Sequence, residues 1–162
     1  LGAPSYAVGR VGCFVVGDDY GRPTDLPIGV KFPQGLPPST AQNLSSMFGV
    51  QVPADVAPST VLAVHPTQLY EVLAMLAVFM ILWRWRLNHR PMGWLFGAYL
   101  AFAGVERFLV EILRAKDDRF LGVFTVAQLT SVVVAAVGVA LLVRYANAPN
   151  PAPGAYLTAR PR

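Results

Sequence analysis

Two charged constellations interrupt an otherwise apolar chain. In the first, Arg107 and Glu111 lie one helical turn apart on a shared face, with Glu106 beside them and Arg114 three residues beyond Glu111. A charge at mid-membrane costs about 2.5 to 3.5 kcal/mol even on lenient insertion scales, so within an apolar helix this face must meet other helices or a wet cavity. The chemistry is either functional, an arginine and its acids working in a pocket, or an ion pair that neutralises itself inside a bundle. The second constellation runs from Gly9 to Pro27, where Gly9, Gly12, Gly17 and Gly21 bracket Arg10, Cys13, Asp18 and Asp19 and are followed by Arg22. Glycines allow close backbone approach or positive φ. An arginine held beside exposed backbone amides binds anions, although a tight turn with a solvated arginine fits the same residues. Within the sequence, Arg10 has only Asp18 or Asp19, across that turn, as a partner.

Two histidines complete the reactive inventory. His65 is of the residue type that suits a general base near neutral pH, yet it directly precedes Pro66 at a helix entry, where a histidine can simply cap or pack. His89 lies among Arg84, Arg86 and Arg90 and reads as a topology residue. The single cysteine, Cys13, reads as a small buried thiol rather than a covalent relay.

The elements that must position these groups are apolar helices. With 54% hydrophobic and 14% charged residues among 162 and a mean hydropathy of +0.47, the chain is far from the roughly 25% charge of a soluble domain. This composition excludes a disulfide scaffold, a disordered chain and a conventional cytosolic enzyme. Residues 1–64 carry a net charge of −1, with Arg10, Arg22 and Lys31 against Asp18, Asp19, Asp25 and Asp55. The basic excess flanks apolar runs at Arg84, Arg86, Arg90 and Arg144, which marks membrane topology rather than a nucleic-acid surface.

Proline divides the chain. None falls between Thr67 and Arg90 or between Met92 and Ala148, and proline disrupts helix interiors, so three transmembrane helices are predicted at about 67–85, 92–113 and 121–143. The arginine-rich loop joining the first two should be cytoplasmic. Residues 1–17 then form the outer end of a further membrane helix, 18–64 a Pro/Gly-rich extracytoplasmic loop region with short apolar pieces at 28–32 and 50–52, and 146–162 a disordered cytoplasmic tail. The expected fold is an all-α polytopic membrane protein. Because the chain begins with Leu1, it is expected to be the C-terminal part of a longer protein.

Taken in order, these pieces resemble the prolipoprotein diacylglyceryl transferases of bacterial inner membranes. The family pattern is Gly-Arg-(Ile/Val)-Gly-Asn-Phe, Gly-acid-x-x-Gly-Arg, Phe-Pro, His-Pro-(Ser/Thr)-Gln-Leu-Tyr-Glu, and a helix with Arg and Glu four apart. This chain has Gly9 to Phe14, Gly17 to Arg22, Phe32-Pro33, His65 to Glu71, and Arg107 with Glu111, in that order. It departs from the pattern at Cys13, where the family has asparagine, and at Asp18, where it has glutamate. The family's N-terminal half with its His-Gly-Gly loop is not in this sequence.

The resemblance implies transfer of a diacylglyceryl group from phosphatidylglycerol to the lipobox cysteine thiol of a prolipoprotein signal peptide, with glycerol phosphate released. It implies a multi-pass protein whose active-site side is extracytoplasmic and whose C-terminus is cytoplasmic, with no cofactor, metal or nucleic acid involved. Arg10 and Arg107 match the family's functional arginines, Glu111 would orient Arg107, and His65 is the candidate base. Gly9, Gly12, Cys13, Asp18, Gly21, Arg22 and Gln68 are assigned to substrate binding, while Tyr70 and Glu71 brace the loop. Two other functions fit the same residues: a non-catalytic phospholipid-headgroup module, and a transporter or proton-relay subunit lined by Glu106, Arg107 and Glu111.

Overall fold

The computed structural model of the protein describes residues 2–87, 90–115, 119–120 and 124–149. His89, Lys116, residues 121–123 of the last apolar run and most of the expected tail lie outside them. The chain is mostly helical: α1 Gly2–Val16, β1 Val30–Lys31, α2 Ala41–Phe48, β2 Ala63–Val64, α3 Thr67–Leu87, α4 Met92–Leu113, β3 Arg119–Phe120, β4 Phe124–Thr125 and α5 Val126–Arg144. Among the described residues, α3 and α5 are long and apolar enough to cross a membrane.

Local chemistry sets the helix limits. Thr125 starts α5 with a reciprocal capping box, its hydroxyl accepting from the Gln128 N–H while Gln128 accepts from the Thr125 N–H. The first helix packs on α3 by small-into-large contact, Ala3 and Ala7 against Met75 and Val78, with Tyr99 and Phe102 of α4 closing the cluster. At the end of α3 and start of α4, Trp85 meets Trp94 edge-on, and Arg86 and Arg90 lie 4.8 and 5.0 Å over Trp83 and Trp94. Tryptophan and arginine are the residues that suit a membrane interface.

Helices α4 and α5 approach backbone to backbone at their glycines. A Cβ added at Gly97 would lie 2.8 Å from the Gly138 carbonyl oxygen, and one at Gly104 would lie 2.6 Å from the Ser131 carbonyl oxygen. Such small-residue seams let helices approach closely in a membrane. The other side of α5 displays Val132, Val133, Val139 and Val143, all exposed.

Residues 18–64 have a core of their own, built from Tyr20, Phe32, Leu44 and Val64 with Ala115. Tyr20 stacks on Phe32, and burial pushes its hydroxyl up to about 12, so it remains a donor to the Pro37 carbonyl at 2.8 Å. The apolar piece at 28–32 does not close a local hairpin. Its residues Val30 and Lys31 pair antiparallel with Val64 and Ala63, some thirty positions away, because Val30 and Val64 both pack into this core while Lys31 stays exposed. The expected loops also contain α2, capped by the Thr40 hydroxyl at one end and by Gly49 in left-handed conformation at the other.

Candidate ion-pair site

The segment after α1 forms the middle of a short backbone seam. Gly21 N–H donates to the His65 carbonyl at 2.8 Å, Arg22 N–H to the Leu113 carbonyl at 2.8 Å, and His65 N–H to the Arg22 carbonyl at 3.0 Å. This seam joins the entry of α3 to the exit of α4 through residues 21 and 22. Gly21 is required there, since an added Cβ would lie 2.6 Å from the Leu113 carbonyl oxygen and 2.7 Å from the His65 Cβ. The seam also ends α4: Arg114 is extended, at φ −68° and ψ 147°, and faces Gly21.

Beside the seam, three arginines and three carboxylates form one network. Glu71, whose side chain is fully buried on α3, is its hub. Its Oε1 accepts from Arg107 Nη1 and from the Tyr6 hydroxyl, each at 3.1 Å, and its Oε2 accepts from Arg10 Nε. Arg10 continues through Nη1 to Asp19 Oδ2 at 3.0 Å, and Arg114 Nη2 donates to Asp19 Oδ1. Glu111 closes the circuit, 3.3 Å from Arg107 and 3.7 Å from Arg114. Those last two contacts are ion pairs without hydrogen-bond alignment, because Glu111 Oε2 has no hydrogen-bond partner among the described residues. Burial works against the Asp19 carboxylate, but Arg114 and then Arg10 hold it below the usual range.

The network adjoins a cavity of about 200 Å³ among the helices, lined by Tyr6, Met75, Tyr99, Glu106, Arg107 and Ser131, among others. Glu106 is buried, and its Oε1 has no partner among the described residues. A site in which buried guanidinium groups are fixed by carboxylates beside a cavity can orient a phosphate and stabilise charge on it. Cys13 Sγ and carboxylate oxygens of Asp18 and Asp19 lie within 4.8 Å of one another, a thiol and two acids, of which Asp19 is already engaged by two guanidiniums.

Residues 2–144 match the family model described as prolipoprotein diacylglyceryl transferase. The chain belongs to the prolipoprotein diacylglyceryl transferase family. Relatives named phosphatidylglycerol–prolipoprotein diacylglyceryl transferase include those of Cupriavidus metallidurans, 38% identical over 72% of this chain, and Nitrosomonas europaea, 34% identical over 83%. That of Clostridium tetani is 33% identical over 86% of this chain. The chain spans 34%, 41% and 49% of the length of these three relatives.

Within this member of the transferase family, the structure brings Arg10, Arg107 and Glu111 into one network with Glu71. Arg10 thus has a partner beyond its own turn, contrary to the reading that left it Asp18 or Asp19 alone. Gly21 and Arg22 lie in the seam, and exposed Arg22 donates through Nε to the Arg114 carbonyl at 3.2 Å. Gln68, fully buried, donates to the Asp18 carbonyl. Cys13 Sγ is 3.5 Å from Arg10 Nη1. His65 is in the seam by its backbone, while its Nδ1 lies 3.1 Å from the Tyr70 hydroxyl. Gly9 and Gly12 are apart from the network: both are exposed, and an added Cβ would meet nothing within 4 Å.

Sequence reasoning underrated Glu71, Asp19 and Arg114. Glu71 carried a usable signal as the lone acid in an apolar 21-residue helix, where an ionisable group demands a partner. Asp19 and Arg114 were each visible beside one near partner, Arg10 and Glu111, but their pairing with each other spans 95 positions and leaves no trace in the sequence.

Proposed function

We propose that this chain carries the phosphate-handling half of a phosphatidylglycerol–prolipoprotein diacylglyceryl transferase. The observation that supports it most is the convergence of Arg10 and Arg107, 97 positions apart, on the two oxygens of one buried carboxylate, in a chain of this family. The reaction displaces glycerol phosphate from a glyceryl carbon by the thiolate of a lipobox cysteine. Its barrier falls when the leaving phosphate is stabilised and the thiol loses its proton. Glu71 and Glu111 fix the guanidinium groups before substrate arrives, and donors held in place cost no reorganisation as charge develops. His65 is the base we assign on this chain, its ring steadied by Tyr70.

In this reading α3, α4 and α5 cross the bacterial inner membrane, and α1 is the outer end of a further membrane helix. The loop after α3, with Arg84, Arg86 and Arg90, is cytoplasmic, as is the tail after Arg144. Residues 18–64 and the ion-pair network lie on the opposite side, where the signal peptide of a prolipoprotein presents its cysteine. The charges of α4 are then borne by Glu71 and by the cavity rather than by lipid.

The test incubates purified protein in detergent with phosphatidylglycerol and a lipobox peptide, with mass spectrometry of the peptide. A diacylglyceryl thioether on the cysteine is the expected product. An unmodified peptide, with the protein folded and the lipid intact, would refute the assignment.

A further inference from the structure

The ion-pair network is neutral as it stands. Arg10, Arg107 and Arg114 supply three positive charges, and Asp19, Glu71 and Glu111 supply three negative ones. A neutral cluster has little net attraction for an anion, so a phosphate enters it by exchange with a carboxylate. The three carboxylates are not equivalent. Glu71 and Glu111 project from helices with side chains 0% and 1% exposed, whereas Asp19 stands on the turn after α1 with its side chain 40% exposed.

The two oxygens of Asp19 are divided between two guanidiniums, Oδ2 on Arg10 and Oδ1 on Arg114. A phosphodiester offers the same pattern, two unesterified oxygens sharing one negative charge. The backbone of the turn is held without the Asp19 side chain. Thr67 Oγ1 donates to the Asp19 carbonyl at 2.7 Å, and Gln68 Nε2 donates to the Asp18 carbonyl. These two buried α3 residues keep Asp19 at φ 55°, a conformation that few non-glycine residues adopt. The side chain can therefore leave while the turn stays.

We propose that the Asp19 carboxylate is a placeholder, seated between Arg10 and Arg114 where a phosphodiester of a lipid binds, and that Arg114 is accordingly a phosphate ligand. The inference rests on the transferase reading for the identity of the lipid, not for the geometry of the exchange. Replacing Asp19 by a phosphodiester leaves the cluster neutral. A phosphate monoester, which carries about −1.5 to −2 at neutral pH, does not, so the return of Asp19 favours release of the product over retention.

The test measures binding of radiolabelled phosphatidylglycerol to the purified protein in neutral detergent by scintillation proximity, alongside KM and kcat for transfer. Asp19→Asn and Asp19→Gly, the latter suited to φ 55°, should each tighten lipid binding roughly two- to fivefold, the scale of a partly exposed ion pair released. KM should fall by a similar factor. Arg114→Gln should weaken binding, and Asp19→Asn added to it should tighten binding less than it does in the parent, since only Arg10 is then released. Unchanged or weaker binding in both Asp19 variants, with melting temperatures near that of the parent, would overturn the placeholder. Tighter binding without any thioether product from the parent protein would instead refute the transferase reading and leave the exchange site standing.

Discussion

Where α4 meets α5 the backbones approach closely at Gly97, Gly104 and Gly138, whereas on its face toward α1 and α3, beyond the apolar contacts of Tyr99 and Phe102, α4 is joined at Arg107 by guanidinium on carboxylate through Glu71. The first contact depends on shape alone and tolerates no added atom. The second depends on charge count and tolerates little loss of it, because a buried ion left without its partner keeps its desolvation penalty. One helix is thus held by two unlike seams, and each should fail in its own way.

Removing the hub tests the charged seam most severely. Glu71→Ala leaves Arg10 and Arg107 without their shared acceptor and should cost about 3–5 kcal/mol, read as a fall in melting temperature in detergent with loss of transfer. Glu71→Gln, which keeps shape and one acceptor, should be milder in melting and equally poor in turnover; equal stability of Glu71→Ala and the parent would mean the network carries no structural load.

Next come Arg10→Lys and Arg107→Lys, which keep charge but lose the two-pronged geometry. Each should lower kcat by roughly 10² to 10³ while the protein stays folded, and the double variant should be little worse than either. Multiplicative losses in the double variant would show that the two arginines act on different groups.

The shape-dependent seam is probed by Gly138→Val. Overpacking at a tight contact costs about 1–3 kcal/mol, so thermal stability should drop while Arg10→Lys added to it lowers activity by its usual factor. A Gly138→Val protein with unchanged melting would mean α5 already stands away from α4.

The smallest effect is expected at Cys13, beside the charged seam but outside its ion pairs. Cys13→Asn and Cys13→Ser should keep transfer within about threefold, since a 3.5 Å contact from Arg10 to sulfur is a weak hydrogen bond. Inactivity of both, at normal membrane levels, would restore a covalent role for the thiol.

The helical class was legible because proline and apolar runs act locally, and long proline-free apolar stretches leave room for membrane-length helices. The eight-residue α2 was not, since its signals are a Thr40 cap and Gly49 inside a stretch dominated by proline and glycine. At the site, Arg107 with Glu111 was visible as an i, i+4 pair. The partnership of Arg10 with Glu71 spans 61 positions and has no periodic trace. Nor could sequence reveal that Arg114 turns back toward Asp19, because that direction is fixed by the backbone bonds of residues 21, 22 and 113.

Those same backbone bonds carry a consequence for how the protein can vary. Amide and carbonyl groups belong to every residue except for the missing N–H of proline, so the side chains at 22 and 113 can change without shifting the joint. Only position 21 is locked, by the lack of room for a Cβ. The placement of the charged groups is therefore buffered against most drift in the loops around them, and a search for changes that unseat this joint should return substitutions at Gly21 and prolines at 22 or 65, while other changes at His65 should act through the lost base and leave the joint in place.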